Sequence, residues 1–189
     1  MAKLVVNHST AQWHDLVREA EELNGVFLDE DLESYLVFLL MRYTECTELA
    51  ARVMALEYLK SANTSGSERK ERMRDVGDQC LLFSGLFPSR AEKRRVRISY
   101  YVNLGRAAYQ NVADVAQNTV ATMFANLSES FVNMMDTLQA IRRLDQNSEV
   151  LAPIAAYELW NDTNSLQARK VLSQSSQGVP VKSKSHVKH

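Results

Sequence analysis

The chain has 189 residues, enough for one ordinary domain with its own core, and 46% of them are apolar against 24% charged. Its net charge of −1 excludes binding to polyanions by bulk charge, and six glycines and three prolines leave few turns, which favours long helices over many short strands. No run of about 18 uncharged apolar residues occurs, and the first residues lack the apolar stretch of a secretory signal. A cytoplasmic protein with no membrane insertion is expected.

The first helix is predicted to open at Ser9, whose spacing to Gln12 is that of a capping box. Trp13, Leu16, Val17, Ala20 and Leu23 follow at helical spacing, and Asn24-Gly25 closes it. Asp29, Glu30 and Asp31 place negative charge where the dipole of the next helix favours it. That helix carries Leu32, Tyr35, Leu36, Leu39, Leu40 and Tyr43 on one face. Val37, Phe38 and Met41 fill much of the rest, which predicts a central position.

A third helix is predicted over residues 48–61, followed by a loop at residues 62–67. Ser65 and Glu68 again have capping-box spacing, and the next helix reads through to Phe83. Gly85 and Pro88 interrupt the pattern, and Gly85 reads as a helix C-terminus closed by Leu86 and Phe87. Tyr101, Leu104, Ala108, Val112 and Val115 mark a helix over residues 97–117. Thr119 precedes one long helix to Leu144, and two short helices follow at residues 154–160 and 165–172. Residues 1–173 thus read as a single all-α domain of seven or eight helices. Residues 174–189, with three lysines and no acid, read as a disordered basic tail.

Charge is uneven along this domain: −6 over residues 1–62, +5 over 63–110, −3 over 111–173 and +3 over the tail. Such asymmetry steers a partner without specifying a fold.

Most chemistry is argued against. There is no Glu-x-x-His for a di-iron bundle, and of His8, His14, His186 and His189 only His14 falls in a predicted helix. Cys46 and Cys80 are 34 positions apart without a histidine beside them, so they read as small buried side chains in a reducing compartment. The acids from Asp29 to Glu33 read as a helix start and not as metal ligands. Phosphate-binding glycine loops and nucleophile elbows are missing from the sequence. No cofactor, metal or catalytic residue is expected.

The distinctive stretch is residues 77–109. Gly105, beside Ala107 and Ala108, reads as a point of close helix approach. Asp78, Ser84, Tyr100, Tyr101 and Tyr109 are polar or amphipathic groups in apolar surroundings, the make-up of a ligand pocket. The rival reading is that they satisfy one another inside the fold. Arg90, Lys93, Arg94, Arg95 and Arg97, followed by two tyrosines, form a candidate polyanion site. The stronger reading is a solvated loop that pairs with the acidic N-terminal third.

The pattern Gly77-Asp78, Leu81, Ser84-Gly85, Phe87, then Val96, Tyr100-Tyr101, Gly105 and Ala108-Tyr109 resembles that of a family of uncharacterised bacterial proteins. The resemblance implies a shared helical fold and nothing catalytic. The function expected is that of an interaction or regulatory protein acting through a helical surface on a protein partner, with self-association open to the same surface. A small-molecule pocket near Asp78, Tyr100 and Tyr109 is the alternative, and nucleic-acid binding through the basic run is the weaker one.

Overall fold

Ser9 caps the first helix as its spacing predicts. Its hydroxyl accepts from the Gln12 backbone N–H at 3.4 Å, and the Gln12 side chain accepts from the Ser9 N–H at 2.7 Å. In the computed structural model, which describes residues 9–45, 66–93, 96–144 and 150–175, this cap opens α1 (Thr10–Asn24). Gly25 ends the helix at a φ of +67°, the left-handed conformation that glycine adopts without steric cost. Asp29 accepts from the Leu32 N–H at 2.9 Å and so starts α2 (Glu30–Glu45).

The expected helix at residues 48–61, most of the loop after it, Ser65, Cys46, His8 and the tail from residue 176 lie outside the described residues. The chain continues with α3 (Gly66–Leu86), the single turn α4 (Pro88–Lys93) and α5 (Ile98–Val115). It then forms α6 (Asn118–Glu129), α7 (Phe131–Leu144), α8 (Pro153–Thr163) and α9 (Leu166–Ser175). All nine elements among the described residues are helices, and the fold is all-α. None of them is long and apolar enough to cross a membrane.

The centre is α3 and not α2. Every residue from Val76 to Leu86 is buried, whereas Phe38 of α2 is 61% exposed. A helix buried all round has neighbours on every side, and α3 makes its broadest contacts with α5 and α7. Apolarity alone pointed to α2 because α3 interleaves its large buried side chains, Met73, Leu81, Phe83 and Leu86, with Gly77, Asp78, Cys80, Ser84 and Gly85.

Gly77 and Cys80 on α3 and Gly105 on α5 set an antiparallel seam between the two helices. The Tyr109 ring lies on Gly77, Cys80 meets Gly105, and the Phe83 and Tyr101 rings stack with centroids 4.7 Å apart. Gly105 thus permits a close approach, as its small neighbours suggested, and the Phe131 ring of α7 covers it. Gly85 does not cap its helix. A Cβ built there would stand 2.5 Å from the Leu138 Cβ, so Gly85 admits α7 while the helix continues to Leu86.

The single helix expected from Thr119 to Leu144 is two helices. Ser130 leaves the helical path, yet its N–H donates to Asn126 at 2.8 Å and its carbonyl accepts from Met134 at 3.0 Å. Hydrogen bonding therefore persists across the bend. Before it, α6 lies along α5, held by a reciprocal pair: Arg106 Nε donates to the Ser128 carbonyl at 3.0 Å and Ser128 Oγ donates to the Arg106 carbonyl at 3.0 Å. Beyond it, α7 turns onto α3 and α1. The apolar spacing is unbroken through residue 130, so nothing in the periodicity records the change of direction.

Replacing Gly77 or Gly105 by alanine forces a methyl group into an aromatic ring in a filled core. Each substitution should lower unfolding free energy by about 1–3 kcal/mol in urea titration. Gly25→Ala has open space around it and should cost only the left-handed strain, about 1 kcal/mol.

Candidate functional site

Asp78 is the only carboxylate on the buried half of α3, and burial there demands donors. The α3–α5 seam supplies one: with the Tyr109 ring on Gly77, its hydroxyl donates to Asp78 Oδ1 at 2.8 Å. From the other side α2 supplies Tyr35, donating to the same oxygen at 2.5 Å, and Arg42, whose Nη1 lies 3.3 Å from Oδ2. Arg42 also donates to Asp75 at 2.9 Å. Burial pushes the Asp78 carboxyl upward, against the lowering effect of the two hydroxyls, Arg42 and Arg74. Both tyrosines are held well above their usual range, by burial first and by the neighbouring carboxylate second.

Of the five pocket candidates the structure thus brings together two, Asp78 and Tyr109. Ser84 is buried but donates back to the carbonyls of Cys80 at 2.8 Å and Leu81 at 3.2 Å within its own helix. Tyr101 packs on Phe83, and Tyr100 is partly exposed beside it. Tyr35 and Arg42 were missed, although a signal existed: they stand two turns apart on one face of α2, a hydroxyl and a guanidinium among apolar neighbours at positions 36 to 41.

A recess of about 150 Å³ reaches Asp78 between Tyr35, Phe38, Leu39, Arg42 and Arg74. Small-molecule clefts run from roughly 300 to 1,000 Å³, and one water takes about 30 Å³. The recess is the size of a few waters.

The basic run is only partly within the described residues. Arg94, Arg95 and the side chains of Arg90 and Lys93 lie outside them. Arg97 pairs with Glu158 at 3.2 Å and Asp162 at 3.8 Å, and Ser99 donates to Asp162 at 2.7 Å. The expected pairing with the acidic N-terminal third is therefore corrected for Arg97, because α8 is the neighbour of the α5 N-terminus. Near the chain start, His14 and Arg18 share Glu33 at 3.0 and 3.2 Å. Among the described residues no group of three or more His, Cys, Asp or Glu side chains is placed to hold a metal ion. Cys80 is buried and in no disulfide, its thiol pushed up by burial.

A second buried carboxylate escaped the sequence reading. Asp136, in the middle of α7, accepts from Ser165 Oγ at 2.5 Å, the Leu166 N–H at 2.8 Å and the Gln167 N–H at 3.3 Å. Ser165 in turn accepts from the Ala168 N–H at 3.0 Å, so the pair caps α9. A single acid within the apolar stretch of residues 134–141 was the available signal. Burial pushes its carboxyl up from 3.8 to about 6, against these hydrogen bonds and Lys170.

On the outside of the same junction, Leu23, Arg143, Leu166, Arg169, Lys170, Ser173 and Gln174 line an open groove of about 570 Å³. Three helices build it: the end of α1, the end of α7 and the outer face of α9. Lys170 Nζ donates to the carbonyls of Leu23 at 3.0 Å and Asn24 at 2.7 Å, binding α9 to the negative end of the α1 dipole. Leu23 and Leu166 remain 48% and 43% exposed.

No family model, curated protein or solved structure matches the chain.

Two predictions follow from the buried carboxylates. Tyr109→Phe and Tyr35→Phe should each lower stability by about 1–2 kcal/mol, and the double variant by more than the sum, because one donor partly covers for the other. Asp136 titrates higher in the folded chain than in the unfolded one. Its contribution is therefore full below about pH 4 and lost as pH rises through about 6. The stability of the native protein relative to Asp136→Asn should rise by on the order of 2 kcal/mol as pH falls from about 7.5 to about 4. Urea midpoints at several pH values check this, and a constant difference refutes it.

Proposed function

We propose that this chain is a cytoplasmic bacterial interaction or regulatory protein that engages a protein partner through the surface where α1, α7 and α9 meet. The observation that carries this reading is the groove of about 570 Å³ with two leucines exposed at its walls. Exposed apolar side chains in a concave, polar-edged setting are what a partner covers. The recess at Asp78 is supported less well as a working site. Its carboxylate already receives two hydroxyls and a guanidinium, and its volume is about 150 Å³. The buried Cys80, in no disulfide, suits a reducing compartment, and the bacterial origin rests on the family resemblance of the residue 77–109 pattern.

Photo-crosslinking from position 173 or 174 in cell extract tests the reading. A reproducible crosslinked protein is expected at both positions, lost in Leu166→Glu, and not obtained from a probe at Asp114 on α5. Equal labelling from Asp114, or no defined product from the groove, refutes it.

A further inference from the structure

The arginines of this fold are almost all spoken for. Arg18 pairs with Glu33, Arg42 with Asp75 and Asp78, Arg72 with Glu68, Arg74 with Asp75, and Arg97 with Glu158 and Asp162. Arg69 donates to Asn111 and Arg106 to the Ser128 carbonyl, and Arg142 also has a partner. Among arginines whose side chains are described, two guanidiniums stand without an acceptor, Arg143 and Arg169. They come from different helices, the last turn of α7 and the middle of α9, and both line the same groove.

We infer that the groove takes an acidic, amphipathic segment of a partner protein, its carboxylates on Arg143 and Arg169 and its apolar side chains on Leu23 and Leu166. This inference rests on the interaction reading above and adds the chemistry of the partner. Guanidinium forks recognise carboxylates in a bidentate manner, and a pair set on two helices fixes register as well as sign. Lys170, committed to the α1 carbonyls, adds positive potential without being available for a direct bond. The leucines are too exposed to form a closed cavity for a small anion, so a covering surface is what buries them. No aromatic side chain lines the groove on which a base might stack, which separates it from a single-stranded nucleic-acid channel.

The test uses the full chain and three synthetic peptides of about twelve residues, roughly 18 Å as helix, each labelled for fluorescence polarisation. One alternates leucine pairs with glutamates at helical spacing, the second has lysines in place of the glutamates, and the third keeps the glutamates but has serines in place of the leucines. The first should bind at least about tenfold more tightly than the other two, and weaken as salt rises from about 50 to about 500 mM. Arg143→Glu with Arg169→Glu should abolish that preference in a chain that still unfolds cooperatively, its thermal midpoint lowered only by the loss of a cation from the last turn of α7. The milder Arg143→Gln with Arg169→Gln should weaken binding about tenfold.

Preference for the lysine peptide, or binding unaffected by the arginine substitutions, overturns the inference. So does tighter binding to vesicles of anionic phospholipid than to the acidic peptide, or a dimer in sedimentation that the same substitutions dissolve. If the acidic peptide fails while groove crosslinking still captures a partner, the acidic segment falls and the interaction reading stands. If crosslinking fails as well, both fall.

Discussion

The fold turns on the contact between the Tyr109 ring and the bare backbone at Gly77. With the ring seated there, the phenolic hydroxyl reaches the carboxylate of the next residue, Asp78. Packing and electrostatics are therefore one constraint. A side chain at position 77 displaces the ring and strips a donor from a fully buried acid, and an unpaired buried charge is far costlier than a lost contact. The same carboxylate then orients α2, because Tyr35 and Arg42 approach it from that helix. Three helices are fixed about one side chain. A fully satisfied network of this kind specifies an arrangement more than it adds net stability, since apolar replacements of the same shape would pack as well.

What the sequence discloses follows from how local each interaction is. The Ser9 capping box, the Asn24-Gly25 stop and the Asp29 start are written within a few residues, and all are found where they were read. Gly105 was legible as a place of close approach because small neighbours surround it. The helix end between Gly85 and Pro88 was legible, but that Gly85 serves to admit α7 was not, because only the position of Leu138, more than fifty residues away, discloses it. The bend at Ser130 was invisible for a similar reason: it is set by where α5 and α3 lie, not by a break in apolar spacing. The central helix was misassigned because large residues alone mark a helix that fills space, whereas α3 also leaves space at Gly77 for Tyr109 and at Gly85 for Leu138.

The polar groups show the same division. Asp78 and Tyr109 were singled out together, and the structure joins them, but as members of an internal network and with partners from α2 that no spacing could supply. Asp136 and Ser165 are 29 positions apart, and neither looked unusual alone. Of the groups that seemed most suited to a site, Asp78 and Tyr109 are occupied with one another and Ser84 with its own helix, which is what burial requires of them. The arginines left over among the described residues, Arg143 and Arg169, are unremarkable in the sequence. They become distinctive only once the partners of the other arginines are known.

The groove that holds these two arginines is tied to the core by the interactions that orient α9. Asp136, from within α7, and Ser165, directly before Leu166, cap the start of that helix. Lys170 pins its middle to the last carbonyls of α1. The leucine and the arginine that α9 contributes are thus presented from a helix held at two points, and Arg143 stands at the end of a third, largely buried helix. A surface built on rigid elements loses little conformational freedom when a partner covers it, so more of the contact energy remains as affinity. The buried carboxylate is on this account the support of the surface. Its hydrogen bonds decide where α9 lies, and the position of α9 decides whether Arg169 and Arg143 face one groove or two separate stretches of solvent.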